Sequence, residues 1–255
     1  MKKLKSILAV LLAVAAVVPF SACSKSRDTV VMSTNATFEP FEYKAGNKVV
    51  GIDADLAQKV ADKLGKKLEI RDVEFNSLTN ELNSGKCDFV ASGVTVRDDR
   101  KKNVDFSDPY YKATQSILVK KGSVIHSRAD LNGKTVGVQL GTTGDDYCTN
   151  KDGKSDVHVK TVKRYDKAPD AVSDMISGRI DAVVIDDFPA KKFVSNNPDK
   201  VVKLDDALTV EEYAIAVKKG NSQLLSTINS VLKDLKSSGE LDKIINHYKS
   251  ALENQ

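Results

Sequence analysis

The sequence predicts an α/β protein built as two similar lobes in tandem, with a ligand cleft between them. Three observations predict it. Short apolar runs alternate with helix-period segments in strand–helix–strand–helix–strand order between residues 30 and 90. The helical segments close at glycines. A seven-residue pattern, Ser84-Gly85-Lys86-Cys87-Asp88-Phe89-Val90, returns 93 residues later as Ser177-Gly178-Arg179-Ile180-Asp181-Ala182-Val183. In both copies a glycine can cap a helix and an acid precedes the apolar run. Tandem α/β lobes place a ligand site at the carboxyl ends of their strands.

Taken in order, Val30-Val31-Met32 is a strand candidate. Pro40 and the polar turn Ala45-Gly46-Asn47 keep the following stretch from being one regular element. Asp53 opens a helix with Leu56, Val60, Ala61 and Leu64 at core-facing spacing, closed by Gly65. Leu68-Glu69-Ile70-Arg71-Asp72-Val73 alternates as a strand does, and Leu78 and Leu82 mark a helix ending at Gly85. Cys87-Asp88-Phe89-Val90 reads as a buried strand, and Thr95 with Asp98 three residues on forms a capping-box pattern that predicts a helix from Thr95. Backbone N–H groups at that start and Arg100 further along can receive a carboxylate, although a surface helix with a solvated arginine fits the same residues. The second lobe leads with Thr135-Val136-Gly137-Val138-Gln139, followed by Gly141-Thr142-Thr143-Gly144. Leu224, Ile228, Val231 and Leu235 have the spacing of a packed helix and carry no functional signal.

The N-terminus sets the compartment. Lys2, Lys3 and Lys5 precede an apolar run over residues 7–20, with Ser21 and Ala22 before Cys23. That is the pattern of an export signal, with a run too short to span a bilayer comfortably. Removing residues 1–22 takes away three lysines and no acids, so the formal charge falls from +4 to +1. With no basic patch carrying interleaved aromatics, no nucleic-acid partner is expected. Cys87 and Cys148 show neither disulfide nor metal spacing, and Cys87 reads as a buried thiol. His126, His158 and His247 are scattered, so no metal or other cofactor is expected.

Five motifs, taken together, carry a resemblance: Thr37-Phe38-Glu39-Pro40-Phe41-Glu42-Tyr43; Gly51-Ile52-Asp53-Ala54-Asp55-Leu56; Ser92-Gly93-Val94-Thr95 with Arg100 and Asp105-Phe106-Ser107-Asp108-Pro109-Tyr110-Tyr111; Gln139-Leu140-Gly141-Thr142-Thr143-Gly144; and Asp181-Ala182-Val183-Val184-Ile185-Asp186. In this order the chain resembles the amino-acid-binding proteins of polar or basic amino-acid ABC importers, solute-binding protein family 3, over residues 30–248. The resemblance implies the type II periplasmic-binding-protein fold: two hinged lobes, with 30–112 and 216–250 forming lobe 1 and 113–215 forming lobe 2. Crossover strands then fall near 111–117 and 212–216. Cys23 resembles the lipidated cysteine of a bacterial lipobox, with Phe20 standing where an aliphatic residue is usual. Residues 1–22 are then a signal peptide, and 23–29 a lipidated tether that holds the protein at the outer face of the cytoplasmic membrane or in the periplasm. The partners implied are a free amino acid and membrane permease subunits, met by a monomer.

The resemblance also implies roles. Arg100 forks the ligand carboxylate with the backbone N–H groups of Thr95 and Thr143. Asp186 pairs with the ammonium group beside the carbonyl of Gly93 and the hydroxyl of Thr95, with Asp187 as a rival. Phe38 and Phe75 sandwich the ligand side chain, and Ser92, Leu140 and Thr142 complete the set. Asn35 stands where basic-amino-acid binders often carry aspartate, which counts against lysine or arginine, and it suits a polar amide or imidazole equally well. Glu39, Asp145 and Glu81 are candidate counter-charges, each read first as a solvated acid. No second cation for a dicarboxylic ligand is evident.

No catalytic elbow, phosphate loop or paired catalytic acid stands out, so a non-enzymatic role is expected. A cyclohexadienyl-type dehydratase on the same fold and a surface adhesin or sensor lipoprotein are the alternatives.

Overall fold

A computed structural model describes residues 28–253. The signal peptide at 1–22, Cys23 and most of the 23–29 tether lie outside the described residues. The chain opens with β1 (Thr29–Thr34), and then a small antiparallel sheet forms from β2 (Thr37–Phe38), β3 (Glu42–Ala45) and β4 (Lys48–Val50). The irregular stretch expected here is this small sheet, whose strands of two to four residues have no period to detect. Next come α1 (Ile52–Leu64), β5 (Lys67–Asp72), α2 (Leu78–Asn83), β6 (Phe89–Val90), α3 (Asp98–Lys101) and β7 (Val104–Phe106). The expected apolar face of α1 is buried at Leu56, Val60 and Ala61, and Gly65 ends the helix at φ 63°.

After β8 (Tyr111–Lys120) the second half runs β9 (Thr135–Gln139), α4 (Thr143–Cys148), β10 (Thr161–Tyr165), α5 (Ala168–Ile176), β11 (Ala182–Asp186), α6 (Asp187–Asn196), β12 (Val201–Lys203) and β13 (Val210–Tyr213). The chain then returns through β14 (Ala216–Lys218) to α7 (Ser222–Ser237) and α8 (Glu240–Glu253). One sheet has the order β5-β1-β6-β14-β7, and the other β10-β9-β11-β8-β12 with β13 against β8. β1 is parallel to β5 and β6, and β9 to β10 and β11, whereas β14 and β8 run antiparallel to their neighbours. Residues 213–216 therefore join the sheets, and an aromatic cluster of Phe41, Tyr111, Phe188 and Tyr213 fills that junction, with ring centroids 4.9–6.0 Å apart.

The internal echo has a structural cause. Asp88 Oδ2 accepts the Val31 N–H at 2.8 Å and Asp181 Oδ2 accepts the Thr135 N–H at 2.8 Å. Each acid fastens its strand to the start of the neighbouring one. Gly85 and Gly178 stand at φ 73° and 75°, where a left-handed residue ends the preceding helix.

The helix expected from Thr95 does not form there. It begins at Asp98, after an extended Arg97, and holds four residues. Thr95 instead bridges Tyr213 and donates its hydroxyl to Glu211 Oε2 at 2.6 Å, so it is not free to cap. Arg100 is thus in the first turn, and the local pattern yields to a tertiary contact.

Gly51 precedes α1 at φ 128°, and a Cβ there would lie 2.2 Å from the Phe41 carbonyl oxygen. Both the backbone and the space require glycine. Gly51→Ala is expected to destabilise the protein by roughly 2–4 kcal/mol, seen as a lower urea midpoint. An unchanged midpoint contradicts this packing.

Candidate functional site

The carboxyl ends of β1, β6, β9 and β11 meet between the two sheets. There Asn35, Phe38, Glu42, Phe75, Ser92, Gly93, Thr95, Arg100, Gln139, Thr142, Thr143 and Asp186 line one cavity with about 320 Å³ of empty space. Ten of the eleven ligand-binding residues expected from the sequence are brought together. Leu140 does not line the cavity; its backbone N–H bonds the Tyr165 carbonyl and its side chain is half-buried. Glu42 and Gln139 line it and had been given no role. A polar residue closing the apolar run 135–139 was the available signal for Gln139, and an acid beside Phe41 was the signal for Glu42. Two hydrogen bonds cross the cavity: Gln139 Nε2 to Asn35 Oδ1 and Arg100 Nη2 to the Gly141 carbonyl, both 2.9 Å.

Arg100 is placed by α3 and held by the Thr95 carbonyl at 2.9 Å, with its guanidinium 5.5 Å from the centroid of the Phe75 ring. Burial, and then the neighbouring Arg97 charge, bring its pKa down to about 10, so it remains cationic at neutral pH. The guanidinium donates to the neutral carbonyls of Thr95 and Gly141, which do not neutralise its charge. Beside it, the Thr143 hydroxyl is buried without a hydrogen-bond partner. A desolvated cation with a free hydroxyl alongside is suited to a carboxylate.

The opposite wall is acidic. Asp186 ends β11 buried, and its Oδ1 accepts from the Tyr213 hydroxyl. Burial, and then the charge of Glu211, push its carboxyl upward. Its rival Asp187 turns away, paired with Lys191 at 2.7 Å and Lys203 at 3.0 Å. Glu42, on β3, receives the Ser92 hydroxyl on Oε1 at 2.8 Å, while Oε2 is buried without a partner. Asp53, next to it at the start of α1, accepts the Gly93 N–H at 2.8 Å. Burial and the charge of Asp53 hold the Glu42 carboxyl well above its ordinary range, and burial lifts Asp53 to about 6.

The counter-charges nominated from sequence fall elsewhere. Glu81 is buried and paired with Lys86 and Arg71, at 2.9 and 3.3 Å. Asp145 is buried against Arg164 at 2.8 Å. Glu39 meets Lys192 at 3.4 Å. None lines the cavity, and Glu81 and Asp145 are not solvated. Asn35 turns its carbonyl to Gln139 and donates its amide to the Val73 carbonyl at 2.8 Å. Phe38 stacks on Phe41 with centroids 5.9 Å apart, and Gly93 passes so close that a Cβ there would stand 2.9 Å from Phe38 Cε1.

The family of bacterial extracellular solute-binding proteins, family 3, matches residues 30–251. The arginine-binding extracellular protein ArtP of Bacillus subtilis is 38% identical, over 92% of this chain and 94% of its own length. Among solved structures, a mutant of ArgBP from T. maritima matches with a TM-score of 0.82 at 44% identity, covering 89% of this chain and 97% of that one. An ancestral arginine-binding protein, bound to arginine in one structure and to glutamine in another, matches with a TM-score of 0.80 at 44% identity, covering 87% of this chain and 98% of that one. The type II periplasmic-binding-protein fold expected from the motifs is the fold observed. With sheets, cavity and sequence in agreement, this chain belongs to family 3 of the bacterial extracellular solute-binding proteins.

Proposed function

We propose that this protein binds one free amino acid, arginine before the others, outside the cytoplasmic membrane and hands it to the permease of an ABC importer. The charge balance of the cavity carries the reading. Its lining holds one guanidinium, Arg100, and two carboxylates, Asp186 and Glu42. A zwitterionic amino acid sets its carboxylate on Arg100 and its ammonium on Asp186, which leaves Glu42 over. A cationic side chain passing between Phe38 and Phe75 displaces the proton of that remaining acid, pairs with its carboxylate and gains a cation–π term on the way. The arginine-binding relatives support the same choice.

In this reading residues 30–112 with 216–250 and residues 113–215 are the two jaws of a clamp, which the ligand stabilises closed by touching both. Thr95 and Thr143 add their backbone N–H groups to the carboxylate, and Gly93 its carbonyl to the ammonium. Ser92 and Thr142 hold the lining in shape. The protein is a monomer tethered through lipidated Cys23, and no residue is given a catalytic step. Among the described residues no helix is long and apolar enough to cross a membrane.

Glutamine is the second reading, favoured by the Asn35–Gln139 amide pair and by the ease with which Glu42 stays neutral. Ligand-free chain beginning at Ser24 is to be titrated calorimetrically with all twenty amino acids. Arginine is expected to bind most tightly and to raise the melting temperature by mass action. Glutamine binding more tightly selects the second reading. Silence from all twenty refutes both.

A further inference from the structure

We propose that Tyr213 is the positioning residue for the ligand's α-ammonium group, its hydroxyl fixing the Asp186 carboxylate against the cavity. The proposal deepens the amino-acid reading above and rests on it. Tyr213 is fully buried and does not itself line the cavity, so it acts through its neighbours. Its hydroxyl donates to Asp186 Oδ1, and the Asp186 carboxylate so held lines the cavity.

The same residue is tied to the other side of the cavity. Its backbone bridges Thr95, and its carbonyl accepts the Tyr110 N–H at 2.9 Å. Its ring passes so close to Gly93 that a Cβ there would stand 3.3 Å from Tyr213 Cε2. Phe41 and Tyr111 pack on the ring at 5.1 and 5.8 Å between centroids, which removes its rotational freedom. One rigid phenol therefore spans from β11 in one sheet to the 93–95 segment beside the other. The distance from Asp186 to Gly93 and Thr95 is set by a side chain with no slack. A carboxylate that feels the charge of Glu211 also needs donors to keep it in place, and the Tyr213 hydroxyl, with the Gln115 side chain, is among them.

The test separates positioning from general stability. Wild-type protein and Tyr213→Phe are titrated with arginine and with 5-guanidinopentanoate, which is arginine without its α-amino group. Wild-type binding of arginine, measured first, decides whether the amino-acid reading stands at all; another amino acid that binds instead replaces arginine, with its own des-amino analogue.

Tyr213→Phe is expected to weaken arginine about 10- to 30-fold, the effect of losing a hydrogen bond to a charged group, and to change the analogue less than about twofold. Equal losses for both ligands, or none for arginine, overturn the proposal. Should an unpaired Asp186 keep the single variant from folding, Asp186→Asn and the double variant Asp186→Asn with Tyr213→Phe close the cycle. With the carboxylate gone, removing the hydroxyl should cost no further arginine affinity, and a further loss of tenfold refutes the assignment.

Discussion

Arg100→Ala is expected to weaken binding of every free amino acid by about a hundredfold to ten-thousandfold, while the fold remains intact. The ligand carboxylate replaces no existing ion pair, because the guanidinium is already desolvated and donates to the neutral carbonyls of Thr95 and Gly141. Two charge-assisted bonds formed in a dry cavity contribute on the order of 1.5–3 kcal/mol each, and their joint loss spans roughly two to four decades of affinity. The empty protein gives up only two bonds to backbone carbonyls and the contact with Phe75. Since it also sheds a buried cation whose pKa is already down to about 10, its melting temperature should hold or rise. Arg100→Lys keeps the charge and loses the fork, so it should fall between the two. Calorimetric titration with arginine measures all three proteins. Near-normal affinity in Arg100→Ala would refute the carboxylate assignment.

What the sequence made legible was mostly local or repeated. Alternation, glycine-closed helices and the paired Ser84 and Ser177 segments report short-range rules, and the strands they marked form the two sheets. The site motifs were legible because the carboxyl ends of the strands converge, so residues that close an apolar run fall on one cavity. What failed was decided by distant partners. Thr95 matches a capping box until Glu211 and Tyr213, more than a hundred residues away, take its hydroxyl and its backbone. Glu81 and Asp145 look like surface acids, and each is buried because Arg71, Lys86 or Arg164 meets it. Glu42 reads as an ordinary strand acid; only the approach of α1 and Asp53 closes it off from water. Tyr213 falls in an expected crossover strand, yet its role depends on Asp186, 27 residues away at the end of β11. Local pattern locates elements and cavity walls, whereas charge pairing requires the tertiary fold.

Glu42→Gln is expected to weaken arginine about a hundredfold and to leave glutamine within a few-fold of the original protein, which reverses or erases the preference. The physical cause is a leftover acid that an incoming cation ionises. In the empty cavity, burial beside Asp53 holds Glu42 protonated well above the ordinary glutamate range of 4.5. A guanidinium arriving at Oε2 favours the ionised form, so arginine binding must release a proton. Arginine affinity then rises with pH from the ordinary glutamate range up to the raised value of the empty protein. Glutamine brings no such charge and feels only the titration of Asp186, so its affinity should rise less steeply. The ligand-free protein should show the opposite slope in stability. Acids whose folded pKa lies above the unfolded value bind more protons folded than unfolded, so the stability they contribute is present at low pH and lost as pH rises through the folded value. For Asp53 that window runs from 3.8 to about 6. Glu42→Gln removes one of these acids, and should flatten both the fall in melting temperature and the rise in arginine affinity. Titrations in buffers of different ionisation enthalpy count the proton directly. A proton released by arginine in the original protein and none in the variant fits Glu42 as the selecting charge; equal counts in both would assign the selection to another group.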